Sequence, residues 1–301
     1  MTIDGILNLD KPRGKTSFDM VALVRRLSGE RRVGHAGTLD PEATGVLPIC
    51  LGQATRLVEY LAEATKSYRA EVELGIATDT FDAAGKVTQR GDVSSLTREQ
   101  VEAAVSSFRG SIEQTPPMYS AVKIKGVPLY RLARAGLEVP RKARRVELYR
   151  IVLLDWQPPV LAIEVECSKG TYIRSLAHDI GQKLGCGAHL KNLVRLKSGP
   201  FHITEAVSIV RIEEAFKQGD WSALVLPLDV AVEHLPAITV DAESEKAIVN
   251  GRSLASTPGE DLAVKLRRVY SSDGSFIAIT RFDEERGYWK PEKVFRKRGK
   301  A

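Results

Sequence analysis

The chain has 301 residues, of which 43% are hydrophobic and 27% charged, an ordinary globular composition with room for one large domain or a large one and a small one. No run approaches the roughly 18 apolar residues needed to span a bilayer, and the opening Met1-Thr2-Ile3-Asp4-Gly5 lacks the basic and apolar regions of a secretory signal, so a cytoplasmic chain is expected, with no membrane partner. Three scattered cysteines (Cys50, Cys167, Cys186) and five histidines without a His-x-x-x-His pair predict neither a disulfide framework nor a metal centre.

Gly5 to Leu9 reads as a short apolar strand, followed by a turn at Asp10-Lys11-Pro12-Arg13-Gly14. Thr16 or Ser17 then caps a helix whose apolar positions Met20, Val21, Val24 and Leu27 follow the helical period. Residues 29–45 are glycine-rich and read as irregular, and Thr55 to Leu61 as helical. Ser67 to Leu74 alternates strictly, which turns Tyr68 inward with Ala70, Val72 and Leu74. A second alternating strand runs from Leu161 to Cys167. After Ser168-Lys169-Gly170 comes a helix striped by Ile173, Leu176, Ala177, Ile180 and Leu184, with Arg174 in its first turn and Gly185 just past its end. Near residue 235 the texture changes. Leu235-Pro236 opens a short strand, Asp241 caps a helix ending near Gly251, and strands Leu262–Val269 and Ser275–Phe282 flank a Ser-Ser-Asp-Gly turn. The expected division is 1–234 and 235–301, the second part a small β-rich domain.

The net charge of +6 is unevenly distributed. Residues 122–150 hold nine basic and two acidic side chains, a net +7, and residues 290–301 hold a net +5, so the rest of the chain sums to −6. Charge concentrated in this way favours a polyanionic partner, because each phosphate contact releases counterions. A basic loop and a basic tail that merely face solvent would have the same composition.

Gly14-Lys15-Thr16 between a strand and a helix invites comparison with a phosphate-binding P-loop, but that motif needs a glycine where this chain has Leu9. A nucleoside triphosphatase is excluded on that ground. The segment Gly34-His35-Ala36-Gly37-Thr38-Leu39-Asp40-Pro41 combines glycines, which let a ligand approach the backbone, with an aspartate biased by Pro41 toward an extended conformation. Its residues alone also fit a plain Asp-Pro surface turn.

Residues 34–51, GHAGTLDPEATGVLPICL, closely resemble the catalytic motif of the tRNA pseudouridine-55 synthase family of the TruB type. The resemblance extends in order along the chain: GILNLDKPRGKTS, KSYRAEVELGIATDTFDAAG, TPPMYSAVKIKGVPLYRLARAG and CSKGTYIRSLAHDIGQKLGCGAHLKNLVRLKSG are similar to that family's amino-terminal motif, tyrosine-bearing strand, RNA-gripping insertion and arginine motif. The segment from about Leu235 resembles, more weakly, a PUA domain. The resemblance implies an α+β fold: a mixed, largely antiparallel sheet flanked by helices, with a basic insertion at about 120–150 and a small C-terminal PUA-like β-barrel.

It also implies roles. Asp40 would be the catalytic aspartate, Arg174 its ion-pair partner and Tyr68 the ring that stacks on the target base. His35, Tyr172 and Leu193 would line the pocket of the flipped nucleotide, and Lys11 would support the catalytic loop beside it. Arg141, Lys142, Arg144 and Arg145 would grip the RNA backbone. The implied reaction converts the T-loop uridine at position 55 to pseudouridine with no cofactor and no metal. The partner would be the T-arm of tRNA, and the stand-alone bacterial form of the family requires no protein partner. The competing expectation is a tRNA-binding folding helper without essential chemistry, for which Asp40 would be dispensable.

Overall fold

The protein is described by a computed structural model that covers residues 3–124, 126–256 and 264–296. It opens with strand β1 (Gly5–Lys11) and helix α1 (Ser17–Ser28). Thr16 caps α1 through a reciprocal capping box with Asp19, which leaves the Ser17 hydroxyl free for another task. The stretch expected to be irregular contains strand β2 (Val33–His35) and runs into β3 (Thr44–Leu51). β3 escapes the alternation test because Gly45 to Leu51 are all buried, so both faces are apolar. A 3-10 turn at Gly52–Leu57 leads into α2 (Val58–Glu63), together spanning the helix expected there.

Strand β4 (Lys66–Leu74) buries Tyr68, Ala70, Val72 and Leu74, the inward set the alternation predicts, and Lys66 before them. There follow the hairpin of β5 (Ile76–Thr78) and β6 (Val87–Arg90), then α3 (Arg98–Ser106) and β7 (Gly110–Gln114). The basic segment holds the two-residue strands β8 (Lys123–Ile124) and β9 (Val127–Pro128) and the short helix α4 (Leu129–Arg134). Strands β10 (Arg144–Gln157) and β11 (Val160–Cys167) precede α5 (Ile173–Lys183), which ends one residue before Leu184 and is followed by Gly185 at φ +77. Strands β12 (Ala188–Ser198) and β13 (Phe201–His202), helix α6 (Ile209–Gln218) and β14 (Val225–Leu226) complete this part.

These strands form one sheet in the order β14-β1-β3-β12-β4-β11-β10-β7, with β2 on β3 and β13 on β12. Every pairing is antiparallel except β3 with β12, so the sheet is mixed and largely antiparallel. That parallel pairing sets Gly45 against Arg195. A Cβ at Gly45 would lie 2.3 Å from the Arg195 carbonyl oxygen, and the residue sits at φ +99, so only glycine lets β3 and β12 close.

The C-terminal part contains β15 (Ala237–Val240), α7 (Ala242–Val249) capped by Asp241, β16 (Leu254–Ala255), β17 (Leu266–Ser271), β18 (Phe276–Asp283) and β19 (Tyr288–Val294). It forms a five-stranded sheet, order β15-β17-β18-β19-β16, of PUA-like type. The strand expected to start at Leu262 begins, in its described part, at Leu266; Leu262 and Ala263 lie outside the described residues. One apolar cluster joins this sheet to the larger one, with Ile279 and Phe295 among Ile6, Val46, Cys50, Leu57 and Leu61. On the opposite face, α1, α3 and α5 cover a core that includes Leu47, Val72, Ile163 and Leu176. Among the described residues no helix is long and apolar enough to cross a membrane.

Candidate active site

Asp40 stands in the loop between β2 and β3, and the backbone on both sides of it is held by side chains from distant segments. Ser17, freed from capping, accepts from the Leu39 amide (2.9 Å) and donates to the Leu39 carbonyl (3.1 Å). The Pro41 carbonyl accepts from the Gly14 amide (2.9 Å) and from Lys11 Nζ (3.1 Å). Lys11 is fully buried (0% exposed) and donates also to the carbonyls of Pro12 and Lys15. An ammonium has three donors, so all of Lys11's are engaged by backbone, and it braces the loop rather than facing the cleft. Burial pushes its pKa down to about 8.

Arg174 arrives from the first turn of α5. Gln114 grips that helix end, accepting from the Tyr172 amide (2.7 Å) and donating to the Tyr172 carbonyl (2.9 Å), while Ser175 donates to the Thr115 carbonyl. The buried guanidinium meets Asp40 side-on: Nε lies 2.9 Å from Oδ2 and Nη2 3.1 Å from Oδ1. Nη2 also donates to the Tyr119 carbonyl (2.8 Å), and Nη1 lies 3.5 Å from the Asp82 carboxylate. This two-pronged geometry fixes the carboxylate's plane as well as its charge.

The Asp40 side chain keeps 42% of its surface open to the cleft. The protein packed around the rest raises its pKa, opposed by the charges of Arg174 and Lys11 and assisted by that of Asp82. Asp82 comes from a turn in which Phe81 has a left-handed backbone, φ +64, and stacks on His178 with ring centroids 4.0 Å apart.

Asp40 and Arg174 lie where two depressions join. One, of about 280 Å³, is lined also by Lys66, Tyr68, Ser120, Tyr172, Leu193 and Arg195. The other is lined by Arg13, Glu42, Asp82, Asn192 and Leu193. Tyr68 and Arg195 are paired across β4 and β12, and Leu193 lies two residues before Arg195 on the same side of its strand. Burial raises the Tyr68 phenol, an effect opposed by the Arg195 guanidinium beside it.

Of the residues predicted from sequence, the fold thus brings together Asp40, Tyr68, Tyr172, Arg174 and Leu193, with Lys11 beneath the loop. His35 is half-buried at the end of β2 and is not among the residues that line either depression; burial, aided by the nearby Arg195 charge, lowers its pKa. The four arginines and lysines expected on the RNA separate into two groups. Arg141 is mostly covered, donates to the Pro116 carbonyl and pairs with Glu138. Lys142, Arg144 and Arg145 are exposed, the last two at the start of β10, opposite Gln114 and Glu113 of β7.

Sequence reasoning missed, among others at the site, Ser17, Asp82, Gln114 and Arg195. Arg195 left a faint trace, a charged residue two positions after Leu193 and so on its side of the strand. Ser17 was visible only as a rival cap, and Asp82 and Gln114 had no pattern to reveal them.

Comparison with known proteins shows the family to which the chain belongs. Residues 25–173 match the family model described as TruB family pseudouridylate synthase (N terminal domain), and residues 174–233 match that described as tRNA pseudouridylate synthase B C-terminal domain. The chain is 48% identical to a tRNA pseudouridine synthase B of Dehalococcoides mccartyi over 97% of each chain. It is 44% identical to that of Geobacillus thermodenitrificans over 98% of this chain and 100% of the relative.

Among solved structures, the chain is similar to one from a Cbf5-Nop10-Gar1 complex, with TM-score 0.74 and 29% identity, covering 97% of this chain and 85% of that one. A chain of an H/ACA RNP bound to a substrate RNA containing 2'-deoxyuridine matches with TM-score 0.72 and 27% identity, over 98% and 86%. An aspartate locked by an arginine beside a buried tyrosine, on this sheet and in this sequence context, identifies the chain as a member of the TruB family, an enzyme that isomerises uridine in tRNA to pseudouridine.

Proposed function

We propose that the uridine isomerised is the one at position 55 in the T-loop, and that Asp40 is the catalytic residue. The observation that carries this reading is the side-on Asp40–Arg174 pair, with one face of the carboxylate open where the two depressions meet. Isomerisation breaks a C–N glycosidic bond, turns the base and forms a C–C bond. A carboxylate serves it by attacking the sugar or the base, or by taking a sugar proton. Arg174 keeps Asp40 ionised and aimed. The target base, stacked within the RNA, must be flipped out; Tyr68 offers it a ring, with Tyr172 and Leu193 alongside. Lys11 acts by holding Pro41.

The T-arm approaches across the exposed Lys142, Arg144 and Arg145. Residues 1–234 form the catalytic domain and 235–301 an RNA-binding domain of PUA type, acting in the cytoplasm on tRNA without a protein partner.

The test is to incubate an unmodified tRNA transcript with the purified protein and map pseudouridine at single-nucleotide resolution. One new pseudouridine at position 55 is expected. Modification confined to another arm of the tRNA would overturn the T-loop assignment.

A further inference from the structure

Behind the cleft, Arg195 is almost completely buried (1% exposed), and among the described residues no carboxylate pairs with it. A guanidinium withdrawn from water is costly unless its donors are satisfied, and an apolar side chain of similar size is often the more stable choice. Stability alone therefore gives no reason for an arginine here. Its donors point to where the reason lies. Nε donates to the Val46 carbonyl (2.6 Å), Nη2 to Gly37 (3.0 Å) and Nη1 to Thr38 (3.5 Å). The guanidinium also lies beside the Tyr68 phenol, its cross-strand neighbour on β4, and each shifts the other's titration. Its three hydrogen-bond acceptors thus belong to residues 37–46, which carry Asp40, and its cross-strand neighbour is the tyrosine of the cleft. Gly37 is close as well: a Cβ there would lie 3.4 Å from Nη1.

We propose that Arg195 is a positioning residue for pseudouridine formation, holding the Asp40 loop and the Tyr68 hydroxyl in fixed relation so that the two act on one base. This rests on the tRNA uridine isomerisation assigned above. Asp40 is gripped from one side by Ser17 and Lys11 and from the other by Arg195, but of these only Arg195 also reaches Tyr68. A lysine could keep the charge, but one nitrogen cannot span carbonyls of two loop segments and a phenol as a planar fork does.

The test is a double-mutant cycle of Arg195→Lys and Tyr68→Phe, read by single-turnover rate, tRNA affinity and thermal melting. Misplacement of reacting groups by about an ångström costs about 100-fold in rate. Arg195→Lys is therefore expected to lose about 100-fold in single-turnover rate, while affinity, which rests on phosphate contacts, stays within about threefold. The double variant should be no slower than the slower single one, because both changes remove the same link.

Three results would overturn the proposal: a folded Arg195→Lys enzyme with near-parental rate, rate losses that multiply independently, or failure of both Arg195→Lys and Arg195→Gln to fold, which would make the residue a piece of core. Failure of the parental protein to form pseudouridine in the same tRNA would instead count against the activity itself.

Discussion

The Asp40 loop and the basic segment around residues 122–145 solve opposite problems with the same kinds of side chain. In the loop, cations are withdrawn from solvent and spent on backbone: Lys11 on three carbonyls, Arg195 on three more. In the basic segment, Lys142, Arg144 and Arg145 are exposed, Arg145 with its Nε donating to the Ser111 hydroxyl. Buried charge that is fully hydrogen-bonded makes a rigid frame, because moving it would strand an unpaired ion. Exposed charge adapts to a ribose-phosphate chain and is screened by salt. Chemistry and grip are thereby assigned to different regions, and each can be perturbed separately.

The largest effect should come from Asp40→Asn. It keeps the side chain's size, removes its negative charge and leaves Arg174 with Asp82 as its carboxylate neighbour among the described residues. Pseudouridine formation should fall on the order of 10⁴-fold or more, by analogy with loss of a central catalytic carboxylate. Next comes Arg174→Lys, which retains charge but loses the two-pronged contact; a rate loss of about 100-fold is expected from the freed carboxylate. A melting curve should show destabilisation too, since the Tyr119 carbonyl loses its donor.

Tyr68 separates stacking from hydroxyl chemistry. Stacking on an aromatic is worth roughly 1–3 kcal/mol per base, so Tyr68→Leu should lose at least that much in kcat/KM. Tyr68→Phe should keep more activity if the ring dominates; equal loss in both would assign the chemistry to the hydroxyl.

The pH dependence is a smaller effect with a definite sign. The active form of Asp40 is the carboxylate, and burial raises its pKa. As pH falls through that raised value the carboxylate is lost, so the acid limb of the single-turnover rate should lie above the ordinary aspartate range. In Arg174→Lys, where the opposing cation is less well placed, it should move higher still. A limb at or below the ordinary value would show that the arginine outweighs burial.

The smallest effect on chemistry should come from neutralising Lys142, Arg144 and Arg145 together. The slope of log affinity against log salt should flatten by about two to three. Arg141 does not belong in that set, because its guanidinium is engaged with Pro116 and Glu138.

The same contrast explains what the sequence disclosed. β4 was legible because it buries one face only, so the period-two pattern survives and places Tyr68, and α5 because its apolar stripe keeps the 3.6 period although its first turn, with Arg174, is buried all round. β3 was not, because burial on both faces erases the pattern. Asp40 was legible through the resemblance of residues 34–51 to a family's catalytic motif, since its glycines and proline alone fit a plain turn as well. Ser17, Gln114 and Arg195 act through backbone carbonyls and amides. Such bonds depend on where the chain passes in space, and that is set by the register of β12 on β3 and β4. Arg141 is a reverse case: composition groups it with its exposed neighbours, but its guanidinium donates to the Pro116 carbonyl and pairs with Glu138.

The most direct measurement compares Asp40→Asn with the Lys142, Arg144 and Arg145 triple variant. Both would be confirmed as folded, and both assayed for tRNA affinity and for single-turnover pseudouridine formation at saturating enzyme. Asp40→Asn should bind tRNA as the parent does and form no detectable pseudouridine. The triple variant should bind more weakly yet reach nearly the parental rate once saturated. If the two variants instead lost affinity and rate in equal proportion, or if Asp40→Asn still formed pseudouridine at a near-parental rate, the division between a rigid catalytic loop and an adaptable basic grip would be wrong.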